Sequence, residues 1–292
     1  MSLGSVERIA NAILYEGYLL YPYRASALKN QRRWNFGVVY PRAYSGAQGG
    51  IDPWTMQTEC LCEAGPLSAI QIKVRFLRLA ESAPLQNAED TEISLPERRV
   101  IELAASPTSR DFVFEGGLEA RVTARAVETE SSHWKITVLI ENLTPCPGGD
   151  VLLRSLVSTH TILRVRDGEF VSLIDPPEEF RELAELCINQ GTWPVLAGEE
   201  GKRDTILSSP IILYDYPQIA PESPGDLFDG TEIDEILTLR ILTMTDAEKE
   251  EVRRTDPRAR QVLERTEALP PEDFMRLHGV LRAAVYSVGG ES

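Results

Sequence analysis

The stretch that most constrains the fold is a pair of alternating segments in mid-chain. In 118–128, Leu118, Ala120, Val122, Ala124 and Ala126 alternate with Glu119, Arg121, Thr123 and Arg125. In 134–143, Trp134, Ile136, Val138 and Ile140 share one side of the repeat. A period of two places one set of side chains on a buried face and the other in water, as a half-buried strand requires. The polar stretch Glu130-Ser131-Ser132-His133 between them closes a hairpin. A protein holding this hairpin cannot be all-helical, and a two-stranded hairpin needs more strands to be stable.

Further segments supply them. Strands are expected at 55–62, 70–79, 99–104, 112–114, 151–163, 169–173, 211–214 and 233–243, with 36–40 as another short one. Asp167-Gly168 reads as the tight turn of a second hairpin between 151–163 and 169–173. Helical spacing appears at the margins. Ser5 caps 5–14, Asp175-Pro176-Pro177 opens 175–187, Thr245 and Glu248 have capping-box spacing, and Pro270-Pro271 opens a last helix with Phe274, Leu277, Leu281 and Val285 on one face.

Helices between successive strands are nearly absent from 55 to 173, which excludes a doubly wound α/β sheet. The fold class expected is therefore mainly β (α+β): an antiparallel β-sandwich-like core with a short N-terminal helix, one inserted helix and a C-terminal helical tail. Residues 1–244 would form the core domain and 245–292 the tail.

The apolar run Ala69–Leu79 is broken by Lys73, Arg75 and Arg78, far short of the roughly 20 apolar residues of a membrane helix. No membrane partner is expected. Glu7 and Arg8 precede only a short apolar stretch, which is not the ordering of an export signal. Four cysteines in 292 residues do not make a disulfide framework, so reduced thiols and a cytoplasmic location are the expectation. Asn142-Leu143-Thr144 matches a glycosylation sequon but reads as a turn after a strand.

Motifs that would name a reaction are missing. No glycine-rich phosphate loop and no Gly-x-Ser-x-Gly elbow occurs, and the three histidines (His133, His160, His278) stand alone. No catalytic residue and no cofactor is assigned. Cys60 and Cys62 would project from the same strand face and converge on a soft metal ion, but Cys146 and Cys187 are isolated, and a buried cysteine also serves as a small hydrophobe. A metal-binding protein or metal-dependent enzyme using Cys60, Cys62 and the acids of the loop 215–235 is one alternative.

Charge is the remaining signal. The formal net charge is -15, which repels nucleic acid and anionic lipid over most of the surface. Against it stands 21–42, where Arg24, Lys29, Arg32, Arg33 and Arg42 occur with no acid and with Tyr23, Trp34 and Tyr40 interleaved. Residues 215–235 reverse the pattern, with seven acids, among them Asp226, Asp229, Glu232 and Asp234, and no base.

Three roles compete for the basic segment: packing on the acidic loop of the same molecule or of a second copy, docking an acidic partner protein, and gripping a nucleic-acid backbone. The global charge disfavours the last. Arginine with aromatics is the composition of protein interface hot spots. Arg24, Lys29, Arg32, Arg33, Trp34, Arg42, Asp226, Asp229, Glu232 and Asp234 are thus the candidate partner-binding residues.

Several long stretches carry a resemblance: "ILYEGY" (13–18), "YPYRASALKNQRRWNFGVVYP" (21–41), "DPWTMQTECL" (52–61), "GTWPVLAGEEGKRD" (191–204), "LSSPIILYDYPQIAPESPGDLFDGTEIDEILTLRI" (207–241) and "TDPRAR" (255–260). They resemble a family of uncharacterised bacterial proteins whose genes accompany those of nickel-iron uptake hydrogenases and their maturation factors in soil bacteria. The resemblance implies an accessory or assembly role, with a hydrogenase subunit or maturation factor as partner, and brings no catalytic residues with it. A structural homo-oligomer is the other alternative.

Overall fold

The structure is a computed structural model that describes residues 37–80, 87–130, 132–146 and 148–217, together with Val6, Glu7, residues 9–11, Lys249, Glu250, Leu263 and Glu264. The protein divides into two compact units, Met1–Leu14 with Trp34–Pro217, and Tyr15–Arg33 with Gln218–Ser292. In the second unit the described residues, Lys249, Glu250, Leu263 and Glu264, are helical.

The first unit is a nine-stranded sheet, antiparallel at every pairing. Its strands are β1 (Thr55–Ala80), β2 (Asn87–Ser94), β3 (Arg98–Arg99), β4 (Thr108–Val113), β5 (Glu119–Glu130), β6 (His133–Asn142), β7 (Val157–Phe170), β8 (Trp193–Leu196) and β9 (Thr205–Ser209). The order is β4-β5-β6-β1-β7-β9-β8, with β2 and β3 also paired to β1. The mainly β, antiparallel class holds, and the 118–143 hairpin is β5 and β6.

One strand organises the sheet. β1 is 26 residues long where two strands, 55–62 and 70–79, were expected. Its first half pairs with β6 through Thr55–Glu63, and its second half pairs with β2 through Lys73–Ala80. Cys62 and Glu63 pair with both β6 and β7, while Lys73, Val74 and Arg75 pair with both β2 and β7. β6 and β2 therefore share one edge of β1, and β7 runs along the other.

β1 changes register between Ala64 and Ala69, at Gly65-Pro66-Leu67-Ser68. Proline has no N–H for a ladder, so a bulge is where a strand tolerates it. On the facing strand Asp167 takes φ 56° and its carbonyl accepts from Ser68 Oγ. A Cβ on Gly168 would stand 2.8 Å from Glu63 O, so only glycine fits. Asp167-Gly168 is thus not the turn of a hairpin but faces the β1 bulge from within the single strand β7, a correction the Asp-Gly signal could not supply on its own.

Three cross-strand ion pairs fix β1 against β2: Lys73–Glu92, Arg75–Asp90 and Arg78–Glu89. The bases that interrupt the apolar run are matched by the acids of "AEDTE" on β2. A slip of one residue would turn every one of these pairs to the wrong face.

The main core joins Ile72, Val74 and Phe76 of β1 to Val122 and Ala124 of β5, Ile136 and Val138 of β6, and Leu163 and Val165 of β7. A second cluster lies on Ile162, Leu207, Val195 and Ala197, where the helical residues Val6, Ile9 and Ala10 pack. A third holds the inserted helix, with Phe180 against Leu61 and Val171.

Between residues 37 and 217 lie three short α-helices: α1 (Arg42–Ala47), α2 (Val100–Ala105) and α3 (Arg181–Glu185). α2 replaces most of the strand expected at 99–104. Its buried residues Val100 and Leu103 stand three apart, the spacing of a helix face, and so short an apolar run fits either period. Residues 211–214 are irregular and not a strand, and β8 was not expected from its sequence. The segments 233–243 and the helices opening at Thr245 and Pro270 fall mostly outside the described residues.

Candidate functional site

Gly37–Pro41, the end of the basic-aromatic stretch, is seated on the start of β7. Thr159 N donates to Gly37 O at 2.9 Å, Val39 N to Leu156 O at 2.8 Å, and Leu156 N to Val39 O at 3.1 Å. Gly37 has φ 56°, and a Cβ there would stand 2.6 Å from Pro210 Cγ, so the seat requires glycine. Asn142 Nδ2 donates to Val39 O at 2.8 Å and to Arg154 O at 2.9 Å. Asn142 is fully buried, so the sequon is closed to modification.

From this seat Pro41 starts α1 while Tyr40 N donates to Pro53 O at 2.8 Å, which brings residues 40–44 against 51–54. The Arg42 guanidinium lies 4.7 Å from the centroid of the Trp54 ring, a cation–π contact. The Tyr40 and Tyr44 rings stack at 5.4 Å with 29° between their planes. Arg42 is exposed, and Ile51, on the adjoining loop, is 85% exposed.

The electrostatics of Arg42 are unusual in this molecule. Ten described arginines pair with carboxylates, such as Arg121 with Asp111 at 2.6 Å and Arg166 with Glu97 at 2.7 Å, and Arg154 donates to Pro145 O. Among the described residues only Arg42 and Arg110 have neither a carboxylate nor a carbonyl acceptor. Arg42 is nevertheless held in place, because its planar cation rests on an indole.

Of the other candidate partner-binding residues, Arg24, Lys29, Arg32, Arg33, Trp34, Asp226, Asp229, Glu232 and Asp234 lie outside the described residues. The first acid of the acidic run, Asp215, is described and has a structural task. Its Oδ1 accepts from Leu196 N at 2.8 Å and its Oδ2 from Ser172 Oγ at 2.5 Å.

Cys60 and Cys62 do share a face of β1, and that face is the main core. Burial, with the nearby Cys62, Cys187 and Glu59 charges adding to it, pushes the Cys60 thiol well above its ordinary value. Burial and then Glu63 push Cys62 up to about 12. Both are thus neutral thiols at physiological pH, while metal ligation needs thiolate. Among the described residues no group of three or more His, Cys, Asp and Glu side chains is placed to hold a metal ion.

Two further titratable groups are buried: Glu59, which no motif singles out, and His160, one of the three histidines that stand alone in the sequence. Glu59, next to Cys60, accepts from Ile188 N at 2.9 Å, Lys135 Nζ at 3.1 Å and Thr137 Oγ1 at 3.0 Å. Burial alone would raise its carboxyl, but the Ile188, Lys135 and Thr137 bonds outweigh it and the net shift is downward. This carboxylate anchors the strap 188–190 to β1, with Asn189 Oδ1 accepting from Glu59 N at 2.8 Å.

His160 is fully buried on β7, opposite Arg75, with Nδ1 3.0 Å from Ser158 O and Nε2 without a partner. Burial first, and the Arg75 charge after the opposing Ser158 bond, lower it to about 4, so it is neutral imidazole. Ser158 is itself held at φ 53°.

A pocket of about 430 Å³ opens between the end of β1 and two glycine loops, lined by Arg78, Glu89, Glu115, Gly148, Asp150 and Arg154 among others. Arg78 is paired to Glu89 and to Glu115 O, and Arg154 to Pro145 O, so the cations in its wall already have acceptors. Among the described residues no helix is long and apolar enough to cross a membrane.

The surface of Tyr40, Arg42, Tyr44 and Trp54 is therefore the described place where an exposed, pre-oriented cation without an acid meets a group of aromatic rings. Tyr40 and Arg42 were legible as part of a basic-aromatic run. Trp54 was not, because the loop that returns it beneath Arg42 leaves no periodic signal. A scan against protein-family models gives no match, and a search of curated proteins gives none either.

Proposed function

We propose that this protein is a non-catalytic accessory factor that docks a protein partner in the cytoplasm through the surface built by Tyr40, Arg42, Tyr44 and Trp54. The observation that carries the reading is the contrast between Arg42, exposed and free on its indole, and the other described arginines, nearly all of them committed to acceptors. Tryptophan, tyrosine and arginine are the residues that dominate interface energetics. Arg24, Lys29, Arg32, Arg33 and Trp34 precede this surface in sequence and carry the same chemistry.

The neutral, core-packed cysteines and the ion-paired pocket walls favour a scaffold over an enzyme. The resemblance points to a nickel-iron hydrogenase subunit or maturation factor as the partner. Affinity capture of the tagged full-length protein from its own cells, beside the Arg42→Glu variant, tests the proposal. It expects a discrete partner that the variant loses; equal capture by both proteins would remove this surface from the function.

A further inference from the structure

We infer that Arg42 is a pre-formed receptor for a carboxylate, so that the partner docks by placing an Asp or Glu side chain, or a C-terminal carboxylate, on the edge of this guanidinium. The inference rests on the docking role proposed above and names the chemistry of what is docked.

The geometry supplies the argument. The guanidinium carbon of Arg42 lies over the Trp54 ring, 4.7 Å from its centroid, and the N–H donors radiate in the plane of the guanidinium. A guanidinium held over a ring has lost part of its rotational freedom, so less ordering remains to be done on binding. Carboxylate is the acceptor that matches two parallel N–H bonds from that edge.

The molecule itself uses this pairing. Arg121 holds Asp111 with Nε and Nη2 at 2.6 and 2.8 Å, a two-bond fork between cross-strand neighbours. Arg42 presents the same fork without an acid. The other described cation without an acceptor, Arg110, has no ring contact to orient it. Beside Arg42, the stacked Tyr40–Tyr44 pair and exposed Ile51 provide an apolar border that would exclude water from the ion pair, as in the centre of an interface. A phosphate would also fit the fork. The apolar border of Tyr40, Tyr44 and Ile51 favours the singly charged carboxylate, because a phosphate dianion costs more to desolvate there.

The test is a titration of the isotopically labelled full-length protein with a capped hexaglutamate peptide, with capped hexaserine and inorganic phosphate as controls, following the Arg42 Nε–H and Trp54 indole N–H signals. Saturable shifts of both signals with hexaglutamate alone are expected. Arg42→Gln should weaken binding about tenfold or more, the loss of a charge-assisted pair, and Arg42→Lys should recover only part of it. Retained circular dichroism in both variants keeps the comparison meaningful.

Absence of shifts, an equal response to hexaserine, or unchanged binding by Arg42→Gln would overturn the inference, and a stronger response to phosphate would replace carboxylate by phosphate. If hexaglutamate fails while Arg42→Glu still loses the captured partner, docking stands and the carboxylate chemistry falls. If hexaglutamate binds but no partner is captured, the functional proposal falls instead. A dimer of the protein by itself that Arg42→Glu dissolves would make the occupant a second copy and contradict a separate partner.

Discussion

At the scale of single residues, burial decides what each polar group can do. His160 is held at about 4 against an ordinary 6.5, so between these values the unfolded state binds a proton that the folded state does not. Stability from this site is full above pH 6.5 and falls as pH drops through 6.5 toward 4, by about 2–3 kcal/mol at pH 4.5. Urea unfolding of wild type and His160→Leu at pH 7.5 and 4.5 checks it: the variant should lose less by that amount, and identical losses would show that His160 does not titrate in folding. Gly37 makes a second point prediction. Gly37→Ala meets Pro210 at 2.6 Å in a left-handed conformation and should cost about 2 kcal/mol or more, read by thermal unfolding. A change within the scatter of surface substitutions would mean that Gly37–Pro41 is not seated on β7.

At the scale of elements, the two ends of the sheet are closed to an added strand, which leaves the proposed docking to side chains. On β8, Pro194 has no N–H, while Leu196 N is taken by Asp215 and Leu196 O accepts from Tyr216 N at 2.7 Å. On β4, Arg110 pairs with core-facing Val122 and so carries a charge on the inner side of the edge. Both are devices that discourage edge-to-edge association. Pro194→Val combined with Asp215→Ala should open the β8 edge and raise light scattering at concentrations where wild type stays clear; an unchanged, monodisperse double variant would contradict the assignment.

The β5–β6 hairpin was legible because its alternation and its turn lie within a short span of sequence, Leu118 to Leu143. The unity of β1 was not, since Gly65-Pro66 reads locally as a break and only β7, far along the sequence, carries the strand across it. The site divides the same way. The basic-aromatic run announced Arg42, but its freedom depends on where every distant carboxylate goes, and Trp54 reaches it only through the returning loop.

At the scale of the whole molecule, a protein of charge -15 spends its described arginines internally, on β1–β2, on β4–β5 and on the loops, and leaves one oriented cation on an aromatic surface. Net negative charge opposes loose self-association and binding to phosphate backbones, while a local basic point steers an acidic partner into register. The claim at the centre of this account is that Arg42 is used for docking and is not a strut. Affinity capture by wild type and by Arg42→Glu, each first verified by urea unfolding, measures it most directly. The account predicts equal stability within about 0.5 kcal/mol, as for a surface substitution, together with loss of the partner from the variant alone. A destabilised variant, or a stable variant that retains the partner, would contradict it.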